Sequence, residues 1–358
     1  MSSEFVNIQE IIQVARRNLP QGGWDYLAGA SESETTMRRN RLAFDRIAFR
    51  PRVLVDVSNI DPSTTFLGHK LRIPLILAPI GQLQVFTPEG GAASSKAAAE
   101  FGTMHVLSSV TAPSLEEVAV SANNPKVFQL YIRGDWPWIE DMVARAKEAG
   151  YEALCITVDT AHYSRRERPM LSRWTPITRR NPADPTYQAS VTWDTIDRIK
   201  ELAGLPFMLK GIATAEDAAL AVQHKVDVVW ISNHGGRQLD HGVGTMDVVK
   251  EVVDAVDGKA SIVLDGGVQR GNDIAKAIAL GVDSVAIGKL QGWGLAAAGQ
   301  EGLVRVLEIL EEELVIAMAL LGVTSVDKLT SAYVREGQVV TSPHEMSSWV
   351  NMNGGRLL

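Results

Sequence analysis

The sequence predicts an α/β protein: one (β/α)8, or TIM, barrel with an N-terminal helical extension and a long loop after strand 4. Two observations predict it. Between Leu75 and Lys289, eight short apolar runs rich in Val, Ile and Leu alternate with longer stretches of helical character. Eight such units imply parallel strands with right-handed crossovers, and that number favours closure over an open sheet. The apolar runs also end in small or polar residues, where a parallel barrel gathers its functional groups. No low-complexity linker divides the chain, so 1–358 reads as a single domain, with an extension over 1–70, the barrel over 75–323 and a tail over 331–358.

Taken in order, Asn7 to Leu19 has helical apolar spacing and stops at Pro20. Gln21-Gly22-Gly23 reads as a break before Trp24 to Ala30, and Glu32 to Phe49 as a charged helix lying on the surface. Pro51 to Val57 and Phe66 to Leu71 read as short strands outside the main sheet. The barrel units follow: strands Leu75–Gly81, Met104–Ser109, Lys126–Ile132 and Ala153–Asp159, with helices Pro88–Gly102, Ser114–Ala122 and Trp136–Gly150 between them. A polar, Pro- and Arg-containing insertion, Ser164 to Ser190, precedes the fourth helix, Thr192–Gly204. Four more strands are Pro206–Ile212, Val226–Asn233, Ser261–Gly267 and Ser284–Lys289, each with a helix after it, the last one long. The polar tail from Ser331 reads as a subunit arm or disordered chain.

Bulk properties narrow the function. The chain has 358 residues, 46% hydrophobic and 22% charged, enough for a sizeable core. A net charge of -7 argues against nucleic acid or an anionic membrane as partner. The single Cys155 excludes a disulfide framework, Met1 to Pro20 has no signal-peptide core, and Leu314 to Val323 is too short to span a bilayer. Arg356-Leu357-Leu358 is not the Ser-Lys-Leu peroxisomal address, so a cytoplasmic protein is expected.

The strand ends carry the chemistry: Pro79-Ile80-Gly81, Ser108, Gln129 and Tyr131, Thr157 and Asp159, Lys210, Ser232 and His234, Asp265-Gly266-Gly267, and Gly288-Lys289. Glycines after strands seven and eight free backbone N–H groups for a phosphate. Lys210 ends a buried strand and serves either as a Schiff-base lysine or as a fixed positive charge. Asp159 either orients an imidazole or caps the next segment. Arg165-Arg166-Glu167-Arg168, alone, reads as a solvated face. In Ser232-Asn233-His234-Gly235-Gly236-Arg237-Gln238-Leu239-Asp240, a base stands at a strand tip three residues before an arginine suited to a carboxylate.

That nonapeptide resembles the active-site signature of the FMN-dependent 2-hydroxy-acid oxidoreductases, the family of glycolate oxidase, lactate oxidase, lactate monooxygenase and mandelate dehydrogenase. The resemblance runs from about Val6 to Lys328. It implies FMN as cofactor, held by Pro79, Ile80, Gly81, Ser108, Gln129, Thr157, Lys210, Ser232, Asp265, Gly266, Gly267, Gln269, Gly288 and Lys289. It implies His234 as base, oriented by Asp159, with Tyr131 beside it, and Arg237 and Arg166 clamping the substrate carboxylate with Tyr26 and Tyr131. It further implies a small 2-hydroxy acid as substrate, oxygen or another electron acceptor as partner, and a homo-oligomer, tetramer or octamer. Lactate-monooxygenase-type decarboxylation and a Lys210 Schiff-base aldolase or phosphate-sugar isomerase are the alternatives. The chain departs from the family at Gln269 and Lys289, where relatives have arginines, and over Pro169-Met170-Leu171-Ser172. Val110 replaces the tryptophan of glycolate oxidase and Gly81 the alanine of many oxidases, which implies a larger, mandelate-like L-2-hydroxy acid and a preference for a dye over oxygen. Tyr163 and Trp174 are the side chains that could refill the space.

Overall fold

In the computed structural model, which describes residues 5–180, 182–340, 346–349 and 352, eight parallel strands close into a barrel. They are β1 (Leu75–Leu77), β2 (His105–Ser108), β3 (Lys126–Leu130), β4 (Ala153–Thr157), β5 (Phe207–Ile212), β6 (Val228–Ile231), β7 (Ser261–Leu264) and β8 (Ser284–Ile287). Each pairs with its neighbour in sequence, and β8 pairs with β1 to close the ring. Alternate residues point inward, so Ile76, Val106, Val127, Cys155, Met208, Trp230, Val263 and Ala286 form one interior cluster. A hairpin pairing Thr64–Phe66 with His69–Leu71 contributes Phe66 and Leu71 to that cluster. It plugs the end of the barrel away from the strand tips.

The extension is more ordered than its sequence suggests. Helix α1 (Ile8–Asn18) buries the stripe Ile8, Ile11, Ile12 and Ala15 and packs on the final helical region. Asn7 caps it by accepting the Glu10 N–H at 3.0 Å. The expected break at Gln21-Gly22-Gly23 is instead the first turn of α2 (Gln21–Ala28). Gly22 answers a packing demand, since a Cβ there would lie 2.3 Å from the Trp174 side chain. Helix α3 (Thr35–Asp45) does not lie on the surface either: Met37, Asn40, Arg41 and Phe44 are buried against the barrel mouth. Pro51 to Val57 forms no strand; the strand of this region is Ile47–Phe49, antiparallel to Val334–Glu336 in the tail.

The insertion after β4 folds as three short helices, Glu167–Leu171, Ile177–Arg180 and Pro185–Ala189. The final helical region, Lys289–Leu321, is broken where Ala298 and Gly299 leave helical geometry. Beyond the tail strand, Trp349 is buried edge-on against Trp293 with ring centres 5.7 Å apart. Residues 353–358, with the terminal Arg356-Leu357-Leu358, lie outside the described residues. No described helix is long and apolar enough to cross a membrane.

Candidate active site

The strand tips open into a cavity of about 300 Å³, roofed by α2, α3 and the insertion. His234 reaches it from a single 3-10 turn, His234–Gly236, directly after β6. The turn is held by its own sequence: Asn233 accepts the Gly236 N–H at 3.1 Å, and the His234 N–H donates to Ser232 Oγ at 3.0 Å. Gly236, at φ +76°, lets α3 come close, because a Cβ would lie 2.5 Å from the Met37 nitrogen.

His234 Nδ1 lies 3.0 Å from Asp159 Oδ1, and its Nε2 lies 3.5 Å from the Tyr131 hydroxyl. Asp159 reaches this position past Gly211, where a Cβ would lie 2.8 Å from Asp159 Cβ and where the backbone, at φ +117°, favours glycine. Burial lowers the His234 pKa; Asp159 opposes the shift, and Lys210 and Arg166 add to it. For Asp159, burial works against the charge, yet His234 and Lys210 hold its pKa below the ordinary carboxylate value. The pair is therefore a neutral imidazole oriented by an anion, with Nε2 available as a base. Burial and the Asp159 charge keep Tyr131 protonated, a hydrogen-bond donor.

Lys210 ends the inward face of β5. Its ammonium donates to Ser232 Oγ at 2.7 Å and pairs with Asp265 Oδ2 at 3.0 Å. Asp265 also accepts from Ser232 Oγ at 2.7 Å and Trp230 Nε1 at 3.1 Å. Burial opposes the charge on Lys210, but Asp265 and Asp159 outweigh it and raise its pKa. An ammonium held protonated by two carboxylates is a poor carbonyl nucleophile, which weighs against the Schiff-base alternative. Ser232 is turned toward this network and braces the site from behind.

Arg237 and Arg166 face the cavity together. Arg237 donates to the backbone oxygens of Tyr26 (2.6 Å) and Gly29 (2.8 Å), at the end of α2. Arg166 donates to Arg237 O at 3.2 Å and Gln238 Oε1 at 3.2 Å. Burial and then the Arg166 charge push Arg237 down to about 10, still a cation at neutral pH. Neither has a carboxylate partner among the described residues. A buried guanidinium, Arg166, beside a half-buried one, Arg237, with no anion between them suits a carboxylate. The charge run around Arg166 is therefore not wholly a solvated face. Tyr26 stacks under Arg237, its ring centre 5.0 Å from the guanidinium carbon, and its hydroxyl donates to Gly81 O at 3.2 Å.

On the opposite side, Pro79, Ile80 and Gly81 after β1 line the cavity, as do Asp265, Gly266, Gly267, Gln269, Gly288 and Lys289 after β7 and β8. Gly266 and Gly267 have φ of +92° and +94°, and a Cβ at Gly288 would meet no atom within 4 Å. Lys289 also donates to Ala28 O at 2.6 Å, tying β8 to α2. Two residues here had no sequence signal beyond a charged helix: Asn40 and Arg41 of α3. Asn40 exchanges side-chain hydrogen bonds with Asn233 at 2.9 and 2.7 Å. Arg41 pairs with Asp273 at 2.7 Å and donates to Gly267 O, so α3 fixes both the base loop and the glycine cradle.

The floor tests the cofactor. Gln129 and Thr157, at the tips of β3 and β4, are buried, and neither Gln129 amide atom nor the Thr157 hydroxyl has a hydrogen-bond partner. Each such orphan costs about 1–3 kcal/mol unless a ligand satisfies it. A donor and an acceptor on one amide, a hydroxyl beside it and the Lys210 ammonium suit the polar edge of a flavin. The glycine cradle after β7 and β8 suits its phosphate. Ser108, paired in register with Gln129, is also buried, but its Oγ accepts from Val110 N at 3.4 Å. Among the described residues, no cluster of His, Cys, Asp and Glu could hold a metal.

Comparison with known proteins agrees with this geometry. The sequence model of the FMN-dependent dehydrogenases matches residues 15–184 and 177–336. A peroxisomal (S)-2-hydroxyacid oxidase of Arabidopsis thaliana is 39% identical, over 93% of this chain and 97% of its own. An L-lactate oxidase of Nostoc is 40% identical, over 93% of this chain and 98% of its own. Among solved structures, a mandelate oxidase superposes with a TM-score of 0.88 at 35% identity, covering 94% of this chain and all of that one.

Proposed function

The chain belongs to the FMN-dependent dehydrogenase family, an FMN-dependent oxidoreductase, and from that premise we propose that it oxidises an L-2-hydroxy acid to the 2-keto acid with His234 as base. The observation that supports this reading is the juxtaposition of a neutral imidazole, oriented by Asp159 at 3.0 Å, with the anion-seeking pair Arg237 and Arg166 in one cavity. Arg237 and Arg166 bind the carboxylate and thereby fix the hydroxyl-bearing carbon near His234. Tyr131 and Tyr26 supply phenol groups along the same wall. His234 Nε2 takes the proton released on oxidation, and Asp159 stabilises the imidazolium. FMN, when bound, supplies the two-electron acceptor. Gln129, Thr157 and Lys210 would hold its ring edge, and Gly266, Gly267, Gln269, Gly288 and Lys289 its phosphate.

The substrate is larger than glycolate. Val110 lines the cavity beside Gly81, where glycolate oxidase has a tryptophan, and Trp174 does not refill the space, because it packs on Tyr26 with ring centres 5.2 Å apart. Tyr163 does line the cavity. The test is to add a panel of L-2-hydroxy acids anaerobically to the purified yellow protein and follow the flavin absorbance. Bleaching by acids longer than glycolate is expected. No bleaching by any of them, or no flavin retained, refutes the reading.

A further inference from the structure

We infer that the cavity has a second anion subsite at its outer end, formed by Arg133 and Arg179, and that the substrate is a 2-hydroxy acid with a second, distal carboxylate. The inference rests on the function proposed above and narrows its substrate class. Arg133 follows β3, and Arg179 lies on the short helix Ile177–Arg180 of the insertion; both line the cavity. Among the described residues, neither guanidinium makes a hydrogen bond or ion pair. Arg179 sits over the Tyr163 ring, 4.0 Å from its centre, and Arg166 sits over the same ring at 4.6 Å. Tyr163 thus bridges the carboxylate clamp and the outer arginine. Arg133 is half-buried, and burial followed by the Arg179 charge lowers its pKa.

The charge balance is the argument. Arg237 and Arg166 together match one carboxylate, so a monoanion leaves the half-buried Arg133 and the exposed Arg179, close enough for each other's charge to be felt, with no anion paired to either among the described residues. The carboxylate in the outer wall, Asp184, is engaged locally: its Oδ1 accepts from Thr186 N at 2.9 Å and Thr186 Oγ1 at 2.7 Å. A planar guanidinium is suited to a carboxylate. In a four- or five-carbon 2-hydroxy diacid the carboxyl carbons lie about 4–5 Å apart by ordinary bond geometry. Arg166 and Arg179 lie 4.6 and 4.0 Å from the centre of one tyrosine ring, which keeps a second cation within reach of such a diacid held by Arg166.

The experiment uses the FMN-loaded protein and two equal-length probes that it cannot oxidise, glutarate and the neutral-tailed hexanoate. Binding is read by calorimetry and by the flavin difference spectrum, for the parent and for Arg133→Gln, Arg179→Gln and Arg180→Gln. Glutarate is expected to bind more tightly than hexanoate, and Arg133→Gln and Arg179→Gln to weaken it about tenfold each, the loss of one charge-assisted contact. Arg180→Gln, on the same turn but outside the cavity lining, is the charge control and should leave glutarate binding unchanged. Hexanoate binding as tightly as glutarate, or a glutarate affinity indifferent to Arg133 and Arg179, overturns the inference. Failure of the underlying reading looks different: no 2-hydroxy acid, diacid or monoacid, then bleaches the flavin.

Discussion

The two ends of the cavity are built to different standards. At the inner end, Lys210, Ser232, Asp265, Asp159 and His234 sit at or directly after strand ends and are joined by hydrogen bonds of 2.7 to 3.0 Å. At the outer end, Arg179 rides on a short helix, touching Tyr163 through its face. Proton transfer demands placement within fractions of an ångström, which only the barrel frame supplies. Selecting a substrate tail demands only the right charge and space, and a loop supplies those with freedom to vary. The same frame is therefore compatible with many tails.

Breaking the inner end has the largest effect. His234→Asn removes the proposed base while leaving the Lys210–Asp265 floor intact, so the protein should keep its flavin and lose turnover by about 10²–10⁴. Stopped-flow flavin reduction checks it; bleaching at the parental rate would place the base elsewhere. Arg237→Lys comes next. A point charge cannot hold the backbone oxygens of Tyr26 and Gly29 and a carboxylate together as the planar fork can. kcat/KM should fall by about 10–100-fold, the loss of one charged hydrogen bond, mainly through KM.

A pH profile sharpens the comparison. Only neutral His234 accepts a proton, and its pKa lies below the usual 6.5 because burial, Lys210 and Arg166 together outweigh Asp159. The acid limb of kcat/KM should therefore fall below pH 6.5, with activity dropping about tenfold per unit beneath the shifted pKa. Asp159→Asn removes the one opposing charge and should move that limb further toward acid. A limb above pH 6.5 in the parent would contradict the assignment.

The inner end was legible in the sequence and its roof was not, for a physical reason. A polar residue at the tip of an apolar strand stands out, so Gln129, Thr157, Asp159 and Lys210 could be found one by one. Asn40 and Arg41 stand in a helix whose composition reads as solvated, and their partners Asn233 and Asp273 are some two hundred residues away, so only tertiary packing reveals them. Gly22 misled in the same way. It reads as a breaker, but its small size serves Trp174 inside a helix. Local chemistry can be read from local sequence; contact between distant helices cannot.

The smallest expected effect concerns Gly81, at the seam between the two ends. Its missing side chain faces Val110: a Cβ would lie 2.9 Å from Val110 Cγ2 and 3.7 Å from the Tyr26 hydroxyl. The two positions share one volume, so Gly81→Ala must displace a β-branched side chain with little rotamer freedom. The resemblance that links alanine here to fast oxygen reaction implies a parent that turns over readily with a dye and more slowly with oxygen. Gly81→Ala alone should raise the oxygen-to-dye ratio a fewfold and lower thermal stability, on the order of 1–3 kcal/mol for an overpacked core contact. Adding Val110→Ala should restore part of that stability, because neighbours in contact couple by about 0.5–3 kcal/mol. Oxygen consumption, dye reduction and melting temperature across the four proteins of this cycle separate the effects. Additive stability losses would show that Val110 is not what Gly81 accommodates, and equal oxygen and dye turnover in the parent would make it a plain oxidase.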